Sequence, residues 1–97
     1  MTRDDILSFL KAHQQEMRRG YGVKRIGLFG SYARQAENED SDIDIVVEFE
    51  TENKTLRNFF GFKRYLEHNL GKSVDLGIES ALKPVVRDTA TKDIIYV

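Results

Sequence analysis

The stretch from Asp42 to Phe49 alternates without a break: Ile43, Ile45, Val47 and Phe49 point one way, and Asp42, Asp44, Val46 and Glu48 the other. Such a segment is stable as a strand with one face covered and one face turned to solvent, so the chain must supply a cover for the aliphatic side. The pattern repeats over Ser73–Ile78, where Val74, Leu76 and Ile78 oppose Ser73, Asp75 and Gly77. Val23 to Phe29 is a third apolar run of strand length, and Ile94 to Val97 is long enough to close as a small strand.

Helices provide the cover. From Arg3 to about Arg19, Ile6, Phe9, Leu10, His13 and Met17 fall on one stripe. Thr2 is placed to cap this helix, Asp4 and Asp5 suit its first turn, and Gly20-Tyr21-Gly22 ends it. His13, on the apolar stripe, reads as a boundary histidine. Leu56 to Leu70 forms a second amphipathic helix with Leu56, Phe59, Phe60, Leu66 and Leu70 facing inward and Gly71 as its cap. Phe62 and Tyr65 fall outside that stripe and mark a candidate partner surface. Ser31 to Gln35 reads as a short helix or turn, and Pro84 opens a last short helix. The order is helix–strand–helix–strand–helix–strand–helix, which predicts an α+β fold: a small mixed β-sheet with helices packed on one face.

The 97 residues are expected to form one domain, residues 1–97. They contain no cysteine, so there is no disulfide framework or thiolate metal site, and the reducing cytoplasm is the expected compartment. No apolar stretch approaches the length of a membrane helix, and Thr2-Arg3-Asp4-Asp5 does not open a signal peptide. The net charge of −1 hides a segregation. Residues 1–36 carry seven basic and three acidic side chains, residues 37–55 one and eight, and residues 56–97 seven and five. Without one dominant basic face, direct nucleic-acid binding is not expected. An acidic centre flanked by positive charge instead suits a cation-dependent site.

Asp42 and Asp44, two apart on a strand, leave the same face about 6.6 Å apart. Two such charges repel by roughly 2–3 kcal/mol at an effective dielectric of 20 unless water or a divalent cation compensates. Magnesium, a hard ion taking a few carboxylates together with phosphate oxygens, is the natural candidate. Asp75 stands on the next strand, opposite its aliphatic neighbours, so all three aspartates share the uncovered face. Gly30-Ser31 ends a strand and opens a helix, where free backbone N–H groups attract phosphate and glycine permits close approach. Rival motifs fail. Asp40-Ser41-Asp42-Ile43-Asp44 begins like a calcium loop, but Ile45 and Thr51 stand where glycine and glutamate are needed. There is no P-loop, and two histidines, His13 and His68, are too few for a histidine zinc site.

Gly30-Ser31, ten residues, then Asp42-x-Asp44 resembles the signature of the DNA polymerase β-like nucleotidyltransferases. The local text Gly30-Ser31-Tyr32-Ala33-Arg34 and Ser41-Asp42-Ile43-Asp44-Ile45 is similar to the minimal nucleotidyltransferase (MNT) branch, and Asp75 follows about thirty residues on. Gln35 stands where that family often has glycine. The resemblance implies that Asp42, Asp44 and Asp75 hold two Mg²⁺ ions, with Asp75 helping to deprotonate an attacking hydroxyl. It implies that Gly30 and Ser31 cradle the phosphates of ATP and that Arg34 reaches the triphosphate; Arg34 is equally suited to pair with the Glu37–Asp40 loop. It further implies an antitoxin that transfers AMP to a tyrosine of a helical HEPN ribonuclease toxin. Two other readings stay open: a non-catalytic module that neutralises a helical partner by contact, and nucleotide transfer to a small molecule or RNA end.

Overall fold

The computed structural model describes residues 1–81 and 94–97. The helix expected at Pro84 lies outside the described residues. The chain runs α1 (Arg3–Ala12), α2 (Gln14–Tyr21), β1 (Val23–Phe29), α3 (Gly30–Ala33), β2 (Ile43–Phe49), α4 (Leu56–Leu70), β3 (Val74–Ile78) and β4 (Ile95–Tyr96). Short 3₁₀ turns at Thr51–Asn53 and Glu79–Ala81 join the later elements.

The sheet has the order β3-β2-β1-β4. β1 pairs antiparallel with both β2 and β4, whereas β2 and β3 run parallel. The parallel pair requires a crossover, and α4 makes it. The α+β fold with a mixed sheet is therefore what the chain adopts. Ile26, Leu28, Ile43, Ile45, Val47, Phe49, Val74 and Leu76 are buried in one cluster with Ile6, Leu10, Met17, Phe62, Leu66 and Leu70 from the helices. The strand residues of opposite parity form the other face.

The first helix is broken rather than continuous. His13 leaves helical geometry at φ −107° and ψ 14°, and its ring Nδ1 donates to the Phe9 carbonyl at 2.9 Å while stacking on the Phe9 ring. The side chain thus shares the carbonyl that its own backbone N–H also uses, which bends the helix there. Thr2 caps α1 as expected: its hydroxyl accepts from the Asp5 N–H while its own N–H donates to the Asp5 carboxylate. Gly22, at φ +69°, ends α2.

In α4 the boundaries agree with the sequence pattern but the inward stripe does not. Phe62 is fully buried, packed edge-on against Phe49 at 5.7 Å, so it belongs to the core rather than to a partner surface. Tyr65 is half-buried against Phe62 and Tyr21, and its hydroxyl donates to Glu16. Leu56 is 75% exposed and Phe60 48%, so neither covers the sheet. Each tests the same point: seven apolar residues on fifteen positions allow two phases, and contact with Phe49 selects one.

No helix among the described residues is long and apolar enough to cross a membrane.

Candidate functional site

Everything implicated by the sequence pattern lies at one end of the sheet face opposite α1, α2 and α4. β1 ends in extended backbone at Phe29, and Gly30 then turns with φ +74° into the single turn of α3. A Cβ on Gly30 would lie 2.1 Å from Asp44 Oδ2 and 2.8 Å from its Cγ. Glycine is required twice over: for the left-handed backbone, and because the Asp44 carboxylate occupies the space a side chain would take. Ser31 follows, half-buried, in that first turn. The Gly30 carbonyl accepts from the Arg34 N–H at 3.1 Å and the Ser31 carbonyl from the Ala36 N–H at 2.8 Å, which closes the turn.

Parallel register sets Asp44 directly beside Asp75. Adjacent strands are about 4.8 Å apart, so the two carboxyl groups stand side by side. Asp42, exposed, precedes β2 by one residue. Burial raises the Asp44 carboxyl above the ordinary carboxylate range, the charges of Asp75 and Asp42 push it further, and Arg34 partly opposes them. Arg34 is therefore close enough for its charge to act on Asp44. The carboxylates approach in this linked fashion without closing a cage: among the described residues no group of three His, Cys, Asp or Glu side chains is gathered tightly enough to hold an ion by itself.

The donor set nevertheless fits a hard divalent cation. It is all carboxylate oxygen, and such an ion would offset both the burial that chiefly raises Asp44 and the charges of Asp75 and Asp42 that add to it. An ion held by a few carboxylates would complete its shell from substrate phosphate. No polar or charged side chain among the described residues is fully buried, so these groups are open to a charged substrate.

Gln35 takes φ +57°. The position that often holds glycine in the resembling family is thus a left-handed one, and glutamine occupies it under strain. Lys72 carries no motif, and its proximity to Asp75 in sequence is its one signal. It donates to the Glu39 carbonyl at 3.1 Å, and its ammonium stands 5.9 Å from the centre of the Tyr32 ring.

At the far end of the same face Arg25 stands opposite Glu48 in register and pairs with Glu79, which also accepts from the Tyr96 hydroxyl. These contacts lock β4 and the end of β3 to the sheet. They are structural, and lie two strand tiers from Asp44.

The chain belongs to the nucleotidyltransferase domain family, whose family model matches residues 10–97. Among individual relatives it is 44% identical over 97 residues to the protein adenylyltransferase MntA of Thermococcus cleftensis, spanning 100% of this chain and 97% of that one. A solved structure assigned as a minimal nucleotidyltransferase superimposes with a TM-score of 0.83 at 35% identity, covering 98% of this chain and 95% of the other. A chain from the complex of tri-AMPylated Shewanella oneidensis HEPN toxin with MNT antitoxin shares the fold, with a TM-score of 0.65 at 20% identity over 92% of this chain and 69% of that one.

Proposed function

We propose that this chain is a Mg²⁺-dependent protein adenylyltransferase antitoxin that transfers AMP from ATP to a tyrosine hydroxyl of a cognate HEPN toxin, and so inactivates it. The observation that carries the reading is the Asp44–Asp75 pair held against the side-chain-free Gly30. A relative named protein adenylyltransferase, alike over almost its whole length, supports it.

In this mechanism residues 1–97 act as one catalytic domain in the cytoplasm. The N–H groups at the start of α3 and the Ser31 hydroxyl bind the β- and γ-phosphates, and the Arg34 guanidinium adds a positive fork to the triphosphate. Asp42, Asp44 and Asp75 would hold two Mg²⁺ ions, and these would supply positive charge against the triphosphate. A tyrosine hydroxyl has a reference pKa of about 10, so it needs help to lose its proton near neutrality. Asp75, exposed at the start of β3, takes that proton. The freed phenolate oxygen bonds to the α-phosphorus as the bond to the bridging oxygen breaks, and pyrophosphate leaves. The attached AMP adds negative charge and bulk where the toxin would hold RNA.

The test is the intact mass of the HEPN partner after co-expression with this chain. An added adenylyl group that disappears when the acceptor tyrosine becomes phenylalanine supports the reading. An unmodified but still silenced partner, with the Asp42, Asp44 and Asp75 triple asparagine variant equally effective, would mean that the chain acts by contact alone.

A further inference from the structure

We propose that Lys72 is a positioning residue for nucleotidyl transfer: its ammonium couples the loop that delivers Asp42 to the turn that carries Ser31. The inference rests on the reading of the site given above. Three separate segments bring the site together, namely the Gly30–Ser31 turn, the start of β2 and the start of β3. Lys72 reaches a residue flanking each of them. Its backbone lies between Gly71, which caps α4 at φ +71°, and the strand that bears Asp75 three residues on. Its Nζ donates to Glu39 in the loop before Asp42, and faces the ring of Tyr32, the neighbour of Ser31.

Both anchors are fixed enough to transmit position. Tyr32 is only 2% exposed, so its ring is a fixed platform. The loop around Glu39 is a closed turn: Ser41 N–H donates to the Asn38 carbonyl, Asp40 N–H to the Asn38 side chain and Asn38 N–H to the Ser41 hydroxyl. A shift at Glu39 is therefore carried to Asp42 rather than absorbed. The loop also holds Glu37, Glu39, Asp40 and Asp42, whose mutual repulsion a nearby ammonium reduces. Asp42 precedes the strand and lacks the ladder that fixes Asp44, so it depends most on such a tether.

The experiment compares the full chain with Lys72→Met, which keeps the stem but loses the donor, and Lys72→Arg, which can both donate and stack. Amide hydrogen exchange is followed by NMR, and AMP transfer to the partner is measured against ATP concentration. In Lys72→Met, exchange at Ser41 accelerates about tenfold while Leu28 in the sheet is unchanged. Its kcat falls about tenfold with KM for ATP within about twofold, and Lys72→Arg recovers most of both losses. Unchanged exchange at Ser41 overturns the proposal, as does accelerated exchange without loss of kcat. A rise in KM alone also overturns it, by making Lys72 a triphosphate contact. A parent chain that transfers nothing refutes the function instead, and exchange at Ser41 still decides whether Lys72 holds the loop.

Discussion

Replacing Gly30 with alanine perturbs the backbone and Asp44 together, and the two costs are separable. At φ +74° a Cβ strains the backbone by about 1–2 kcal/mol. The same Cβ would sit 2.1 Å from Asp44 Oδ2, so the carboxylate must leave its position. Moving it off its rotamer costs about 0.5–1.5 kcal/mol, and the sum is about 1.5–3.5 kcal/mol. For a domain of this size that lowers Tm by about 6–28 °C, and a stability of about 5–15 kcal/mol leaves the variant folded. Thermal melts of Gly30→Ala, Asp44→Ala and the double variant separate the parts. With the Asp44 carboxylate gone, Gly30→Ala should cost only the backbone share, giving a coupling of about 1 kcal/mol. Transfer of AMP should be lost in Gly30→Ala, because the displaced Asp44 no longer lies beside Asp75. Equal costs of Gly30→Ala in both backgrounds, or full activity in the single variant, would refute the packing of Asp44 against Gly30.

Gln35→Gly should stabilise the protein by about 0.5–1 kcal/mol, since the relieved left-handed strain exceeds glycine's extra entropy; a lower Tm would contradict the strain. Phe62→Ala should cost about 3–5 kcal/mol and Leu56→Ala no more than about 0.5 kcal/mol, as denaturant midpoints will show. Burial works against the Glu48 charge, but Lys54 and the two Ser80 hydrogen bonds outweigh it and hold the carboxyl below the ordinary value of 4.5. A folded-state pKa below the unfolded one stabilises at pH above the unfolded value and is lost as pH falls through the folded one. The parent should therefore melt above Glu48→Gln at neutral pH, with the gap closing as pH drops below 4.5; a pH-independent gap would contradict this.

The sheet was legible because alternation is a two-residue signal that needs no knowledge of neighbours. The parity of Asp44 and Asp75 placed both on the face opposite the aliphatic side chains, and the parallel register then set them side by side. The phase of α4 was not legible, because Leu56, Phe59, Phe60 and Phe62 are all apolar and Phe49 selects among them. The break at His13 depends on one side chain reaching the Phe9 carbonyl, which leaves the apolar spacing unchanged. The left-handed backbone at Gln35 was foreshadowed only by the glycine that often stands there in the resembling family. Lys72 escaped notice because its contacts join segments more than thirty residues apart.

Two labelled substrates put the central claim to its most direct test: ATP carrying the label at the α-phosphate, and ATP carrying it at the γ-phosphate, each incubated with Mg²⁺, this chain and its HEPN partner. The account predicts label on the partner from the α-position alone, abolished in Asp42→Asn/Asp44→Asn although that variant melts no lower than the parent. Label from the γ-position, or undiminished α-label in the double variant, would contradict it.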